Sequence, residues 1–334
     1  MSDKKHSLKR TIFGGGVSII LLAIAGFLLL NQQYVKDQIS VWSYTPSSSV
    51  KAIDERVGFT HKGQFYFYAT QPQVDGSEQF NEDCPRQEVG NPILGCYAAG
   101  RIFVYDIANE QLDGIEEVTA AHEMLHAVWE RMTLDDQSRI GTLLRTEYQK
   151  QIGNEDLMER MEYYQRTEPG QFENELHSIL GTEAKSLSPE LESYYAKYFK
   201  DRQVVVGLHS KYDTIFENLK KQSDALYVRL TTLGQSIEAR SVKYNDDIKQ
   251  LSADIAAFNN RADTGSFSSI SQFNSERSAL VARSNQLDAD RDAISTDITS
   301  YNNEYAEYQK VSSKIEVLNK SIDSIKDLQP APSV

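Results

Sequence analysis

The chain has 334 residues, and its 48 acidic residues outnumber its 35 lysines and arginines, which gives a formal net charge of −13. This acidic balance argues against nucleic acid as a partner, because duplex binding needs a basic surface that displaces counterions. Hydrophobic residues make up 40% and charged residues 25%, so wholesale disorder is excluded. The 2 cysteines exclude a dense disulfide scaffold and any site that needs four thiolates.

The N-terminal segment is predicted to anchor the chain in a membrane. A basic tail (residues 1–11) precedes an uncharged apolar run (residues 12–30) that is long enough to cross a hydrocarbon core of about 30 Å. The basic flank places the N-terminus in the cytoplasm and the bulk of the chain outside it. A cleaved signal peptide is the alternative, since Ala23 and Ala25 have the spacing of a cleavage site. We therefore expect a single-pass membrane protein held in the lipid bilayer.

A linker and a small β region are predicted next. Residues 31–50 include a stretch rich in serine and proline, which is typical of a linker. An aromatic alternation at 64–69 and an apolar run at 101–107 predict two strands. Cys84 and Cys96 lie between these strands, and in an exported chain they can form a disulfide that closes a small loop. Two unpaired thiols or a two-cysteine metal site are the alternatives.

One motif in the chain carries recognisable chemistry. Residues 118–131 contain the pattern His-Glu-x-x-His and are predicted to be helical, because they hold strong helix formers and no glycine or proline. His122 and His126 are four positions apart and share one face of a helix, where two imidazoles can bind one zinc ion (Zn2+). Glu123 is next to His122 and is expected to act as general base on a water held by the metal. An ordinary amphipathic helix with two histidines on one stripe is the alternative.

This motif resembles the active-site helix of the zincin metallopeptidases. The glycine and third histidine of the metzincin signature do not follow His126. The gluzincin type remains, in which the third ligand is a glutamate on a later helix. Asn174-Glu175 followed by Ser178 is similar to the thermolysin-type stretch that supplies this ligand. The resemblance implies zinc bound by His122, His126 and Glu175, and hydrolysis of a protein or peptide substrate.

The surroundings of the third ligand leave several roles open. The aspartate that usually orients a zinc-bound histidine in this family is absent, and Ser178 lies nearest to its place. Alternative ligands near Glu175 are His177, Glu173 and Glu183. His177 could instead be a catalytic donor to the oxyanion of a tetrahedral intermediate. The adjacent tyrosines at 163–164 could also take this role, although packing is the simpler interpretation in a chain with 18 tyrosines.

The second half of the chain predicts an antiparallel coiled-coil hairpin. Apolar residues recur at steps of three, four and seven from 215 to 258 and again from 270 to 325. A polar break at 259–266 separates the two runs, so two long helices should pack antiparallel. We assign residues 208–328 to this hairpin and 329–334 to a disordered tail. A compact helical bundle is the alternative.

The predicted fold is mainly α with a small β region. It consists of the anchor, a zincin-like α+β domain over residues 51–207 with a charged helical stretch over 134–161, and the hairpin. The expected activity is that of an outward-facing zinc metalloendopeptidase whose coiled coil could bind a protein partner. The rival is a non-catalytic structural or adaptor protein of the envelope, with a zinc site that only holds the fold. A fourth protein ligand, such as His177 beside Glu175, would favour this rival.

Overall fold

The computed structural model describes residues 21–85, 92–151 and 153–324. The described chain is mainly helical, with a three-stranded sheet and two long C-terminal helices, as the sequence predicted. It divides into two compact units. The N-terminal unit comprises the described residues up to Thr214 and those from Asn319, and the helical unit comprises Ile215–Leu318.

The sheet consists of β1 (Gln73–Asp75), β2 (Gly95–Ala98) and β3 (Arg101–Tyr105). β3 is central, parallel to β1 and antiparallel to β2, so β2 is an edge strand. The register places opposite each other Val74 and Val104, Cys96 and Phe103, and Tyr97 and Ile102. The turn between β2 and β3 holds Ala99 and Gly100 at φ of 50° and 78°, the pair of positive angles that a tight hairpin turn requires. β3 confirms the strand predicted at 101–107.

Helices cover the sheet and form most of the core of the N-terminal unit. In chain order, the described part of this unit contains α1 (Gln32–Ser43), α2 (Ser48–Val57), α3 (His61–Ala69), α4 (Ser77–Asp83), a 3-10 turn (Glu110–Leu112), α5 (Ile115–Glu130), α6 (Leu134–Lys150), α7 (Glu155–Thr167), α8 (Phe172–Glu183) and α9 (Pro189–Tyr195). α5 is central, because it packs against α8, α2, α3 and both β2 and β3. Its apolar side chains face several directions, as expected of a helix surrounded by protein.

The strand predicted at 64–69 is wrong, because these residues are helical and belong to α3. The Thr60 hydroxyl caps the helix by accepting from the N–H of Gly63. Gly63 lies so close to the chain at Tyr198 that a Cβ would be 2.2 Å from the Tyr198 carbonyl oxygen. Phe67 is fully buried in the core. Capping and tertiary packing therefore override the strand preference of the aromatic residues.

One further prediction is wrong. The linker expected at 31–50 is largely helical, as α1 and the start of α2. Buried Asp37 of α1 accepts two hydrogen bonds of 2.9 Å from the guanidinium of Arg131, which holds α1 against the end of α5.

The helical stretch predicted over 134–161 is confirmed and consists of α6 and the first part of α7. Gly153 lies in the connection between these helices with a φ of 114°, in the left-handed region that favours glycine.

The predicted membrane anchor is only partly covered by the structure. Residues 12–20 and the basic tail lie outside the described residues, as do residues 329–334. Residues 21–30 are helical, and most of their large apolar side chains are exposed. Across 21–85, 92–151 and 153–324, no helix has both the length and the apolar character needed to cross a membrane.

The two long helices form the predicted antiparallel pair. α10 (Arg202–Asp263) has 62 residues and begins before the expected boundary at 208, and α11 (Ile270–Ile322) has 53 residues. Ion pairs between the two helices are Arg229–Glu304, Arg240–Asp297, Arg283–Asp254 and Arg261–Glu276. The residue numbers of the partners increase along α10 as they decrease along α11, which defines an antiparallel arrangement. The apolar stripe is narrow and includes Leu226, Leu230, Leu251, Leu287 and Ile294.

Candidate metal centre

Two helices bring three candidate ligands together. His122 and His126 lie on α5, and Glu175 lies in the first turn of α8. His122 Nε2 is 3.7 Å from Glu175 Oε2, and His126 Nε2 is 3.5 Å from Glu175 Oε1. The helices approach closely at Gly181 of α8, where a Cβ would lie 2.4 Å from Leu125 Cδ1. This close packing carries Glu175 to the two histidines.

The donor set fits a zinc ion. Two imidazole nitrogens and one carboxylate oxygen are typical protein ligands of catalytic zinc. Zinc bonds of about 2.0–2.1 Å at tetrahedral angles place ligand atoms about 3.3 Å apart. The histidine–carboxylate distances of 3.5 and 3.7 Å are only slightly longer. The three candidate ligand atoms lie within 4.8 Å of one another. Zinc binding would therefore shorten the histidine–carboxylate distances by a few tenths of an ångström and the widest separation in the group by up to about 1.5 Å.

The ring of His126 is held from its far side. Its Nδ1 lies 2.9 Å from Asn174 Oδ1 and 3.3 Å from Ser178 Oγ. The Asn174 amide nitrogen donates to Gln171 Oε1, which leaves the amide oxygen to accept from the imidazole. With Nδ1 protonated, the lone pair of Nε2 faces Glu175. Ser178 was predicted to lie nearest to the place of the residue that orients the histidine, but Asn174 makes the shorter contact.

Glu123 is 7% exposed and lies between α5 and the edge strand. The backbone of Tyr97 in β2 lies near its carboxylate and favours the charged form. At Gly95 a Cβ would lie 2.5 Å from Thr119 Cγ2 and 3.1 Å from Glu123 Cγ, so this contact between strand and helix requires glycine. Burial raises the pKa of Glu123 to about 7, an effect that His126 opposes and Glu175 reinforces. A divalent cation beside Glu123 would lower this pKa again.

His177 does not join the other candidate residues. Its side chain is fully buried, its Nε2 lies 2.8 Å from the Tyr194 hydroxyl, and its ring stacks on Tyr195. Burial lowers the pKa of His177 to about 3, so the ring is neutral. Its position in the core does not fit the catalytic role or the ligand role considered from the sequence.

The other alternative ligands have partners elsewhere. Glu173 forms an ion pair with Arg145. Glu183 pairs with both guanidinium nitrogens of Arg160 and lies 3.4 Å from His209 Nε2. Burial opposes the charged form of Glu183, but the Arg160 guanidinium outweighs it and lowers the pKa of this carboxyl. Both carboxylates are therefore engaged away from the histidines.

A cavity of about 900 Å³ opens beside the candidate ligands. Its walls include Trp129 of α5, Tyr164 of α7 and the chain at Glu168. The disulfide predicted between Cys84 and Cys96 is present, with Cα atoms 6.0 Å apart, and it forms part of the wall. Sequence analysis did not identify Glu168, because no local pattern places this residue near a motif more than forty positions earlier.

No protein-family model, curated protein or solved structure matches this chain. The class of site is therefore defined by its own geometry, in which an HExxH helix and a helix carrying a glutamate converge on a cavity.

Proposed function

We propose that this chain is a zinc metallopeptidase of the gluzincin type that hydrolyses peptide bonds. The observation that carries the proposal is the convergence of His122, His126 and Glu175 on a cavity beside the buried carboxylate of Glu123. Catalytic zinc sites have three protein ligands and an open position, whereas closed structural sites have four. The described residues supply three ligands, and His177 lies apart from them. This arrangement favours catalysis over a purely structural zinc site.

Different residues of the chain have separate roles in the proposed hydrolysis. Bound zinc would supply Lewis-acid polarisation of the scissile carbonyl and a lowered pKa for a coordinated water. Asn174 keeps His126 in the tautomer whose Nε2 can bind the metal. Glu123 takes the proton of the attacking water and later delivers it to the leaving amine. The backbone of Tyr97 favours the charged form of Glu123, which is the form that accepts the proton.

A tyrosine supplies the oxyanion donor in this proposal. Tyr163 and Tyr164 both line the cavity, whereas His177 does not. Burial raises the pKa of the Tyr164 hydroxyl, so the phenol keeps its proton at neutral pH. A protonated phenol can donate a hydrogen bond to the developing negative charge. The charges of Glu175 and Glu123 act on the Tyr164 hydroxyl, which places it near the candidate metal centre and makes it the better candidate. Tyr164→Phe should lower kcat more than it changes KM.

We further propose that the catalytic unit lies outside the cytoplasm, attached by the apolar segment, with the hairpin available to a protein partner. The disulfide between Cys84 and Cys96 supports export, because disulfides persist in oxidising compartments. The exposed apolar side chains of residues 21–30 support a membrane contact.

The function is tested by separating metal binding from proton transfer. We expect His122→Ala and His126→Ala to lose stoichiometric zinc, and Glu123→Gln to retain zinc but lose hydrolysis of a mixed peptide substrate. Zinc is measured by mass spectrometry and hydrolysis by the release of new amino termini. His61→Ala is the matched control, since His61 is exposed and lies outside the cavity. Full zinc content in His122→Ala, or full activity in Glu123→Gln, would contradict the proposal.

A further inference from the structure

Glu168 is a carboxylate in the cavity wall that the proposed mechanism does not use. It follows the last residue of α7, where its backbone N–H bonds to the Tyr164 carbonyl. Its side chain is partly buried and faces the charges of Glu175, His126 and His122. Within the described parts of the chain, no lysine, arginine or histidine forms an ion pair with Glu168.

This position is electrostatically unfavourable for an unpaired carboxylate. The C-terminal end of a helix carries partial negative charge, and Glu168 lies at the end of α7. The charge of Glu175 adds to the repulsion. A partly buried charge in such a place is stabilised when a cation approaches it. Zinc is one such cation, but Glu168 lies outside the group of three candidate ligands, so a second cation can still be accommodated.

The whole cavity has an acidic wall. Its lining carboxylates are Asp83, Glu123, Glu130, Glu168 and Glu175. No lysine or arginine is among the described residues that line it, a set that leaves out residues 86–91. A single divalent metal ion therefore leaves the lining with net negative charge, which attracts cationic ligands and repels anionic ones.

Aromatic side chains line the same cavity as Glu168. They include Trp129 and Tyr164, and Tyr164 precedes Glu168 by one helical turn. Aromatic faces attract ammonium and guanidinium groups. The guanidinium of Arg166 shows this attraction nearby, since it lies 5.6 Å from the centre of the Tyr163 ring. A cavity that combines carboxylates with aromatic rings is suited to an organic cation.

We propose that Glu168 is a specificity-determining residue that binds a cationic group of the peptide substrate, an ammonium or guanidinium, beside the scissile bond. This inference rests on the proposed peptidase function, because it assigns the substrate class of the same site. The cation could come from a lysine or arginine side chain or from a free amino terminus. Both sources present the same hydrogen-bond donors to the Glu168 carboxylate.

The test measures binding rather than turnover. The full chain carries Glu123→Gln and is loaded with zinc, so that bound peptides stay intact. Peptide pairs differ only in lysine or its uncharged isostere norleucine, and each pair is made with a free and with an acetylated amino terminus. We expect the cationic peptide to bind at least about tenfold more tightly, as one charge-assisted hydrogen bond provides. When the same protein also carries Glu168→Gln, this preference should fall to about twofold.

The matched control is Glu162→Gln, which removes the same charge from an exposed position of α7 outside the cavity. It should keep the preference for the cationic peptide. If Glu168→Gln does not fold, as judged by circular dichroism, Glu168→Asp keeps the charge but shortens the side chain and should weaken the preference. Equal binding of all four peptides, or an unchanged preference in Glu168→Gln, would overturn the inference. Loss of zinc from Glu168→Gln would overturn it too, because Glu168 would then be a ligand.

The outcomes separate this inference from the peptidase proposal. Charge-dependent binding through Glu168 without hydrolysis by the unmodified chain supports the cation site and contradicts the peptidase. Hydrolysis of both peptides at equal rates supports the peptidase and overturns the cation site. A loss of binding on acetylation that is equal for the lysine and norleucine peptides assigns the cation to the amino terminus, and a preference for lysine that survives acetylation assigns it to the lysine side chain.

Discussion

Replacing Gly181 by alanine tests how closely α5 and α8 must approach to assemble the metal centre. The added Cβ would lie 2.4 Å from Leu125 Cδ1 and 2.7 Å from Tyr195 Cε1, about 1 Å inside normal contact distance. Both neighbours are fully buried. The Tyr195 hydroxyl is also fixed by a 2.7 Å hydrogen bond to the His177 carbonyl. The helices must therefore move apart.

Two opposing effects set the size of the change. Overpacking a core of this kind costs about 1–3 kcal/mol. Alanine in place of glycine inside a helix recovers about 1 kcal/mol. We expect Gly181→Ala to lower the free energy of unfolding by up to about 2 kcal/mol, which lowers Tm by up to about 8 °C for a unit of this size. If the helices move apart, zinc binding must bring Glu175 back to the two histidines. A cost of about 1.4 kcal/mol for this movement would lower zinc affinity tenfold.

The assay is thermal unfolding of the metal-free chain, followed by zinc titration against a competing chelator. Gly207→Ala is the control, because Gly207 is also helical but a Cβ there meets nothing within 4 Å. This control should leave Tm unchanged or slightly raised. The reasoning is refuted if Gly181→Ala matches Gly207→Ala in both Tm and zinc affinity.

Three further outcomes follow from the structure. Asn174→Ala should weaken zinc binding about 10- to 100-fold by releasing His126, and Asn174→Asp should restore it, as chelator competition would show. Arg160→Met should lower Tm at pH 7, because it leaves the Glu183 carboxylate buried without its cation. Since the pKa of Glu183 is lowered in the folded chain, its stabilising contribution is present above the ordinary glutamate pKa of about 4.3 and is lost as the pH falls. The deficit of Arg160→Met in thermal scans should therefore narrow below about pH 4. A fragment covering residues 215–318 should be strongly helical by circular dichroism and unfold cooperatively, since these residues form a compact unit.

The candidate metal ligands could be predicted from the sequence to different degrees. His122 and His126 follow from local helical spacing, which needs no knowledge of the rest of the chain. Glu175 lies on another helix and was assigned only through family resemblance. The proposed roles of Asn174 and Glu168 depend on how α7 and α8 pack, and no local pattern encodes that packing. The site was therefore predictable along one helix and much less so across helices.

The success of the secondary-structure predictions also depends on whether the determining contacts are close together or distant in the sequence. The hairpin was predicted because its period repeats over many turns, so that isolated interruptions do not obscure it. The aromatic run at 64–69 is short and matches both a strand and a buried helix. Its helical state depends on the Thr60 cap and on the close approach of Gly63 to Tyr198, contacts that are distant in sequence.

The ion pairs between α10 and α11 also specify which residues of the two helices face each other. A slip by one heptad would displace the helices by about 10 Å and break all four pairs, although apolar residues would still meet apolar residues. Exposed pairs contribute about 0.2–1 kcal/mol each, so together they favour the observed alignment by about 1–4 kcal/mol. Salt screens this contribution.

Near the turn the alignment has a second, uncharged determinant. The rings of Phe258, Phe267 and Phe273 pack with centroids 5.1–5.2 Å apart. Aromatic packing does not weaken with ionic strength as ion pairs do. High salt should therefore loosen the alignment first at the end remote from the turn, while the helices stay helical. The alignment of the two helices is thus insensitive to salt near the turn and sensitive to salt along the rest of the hairpin.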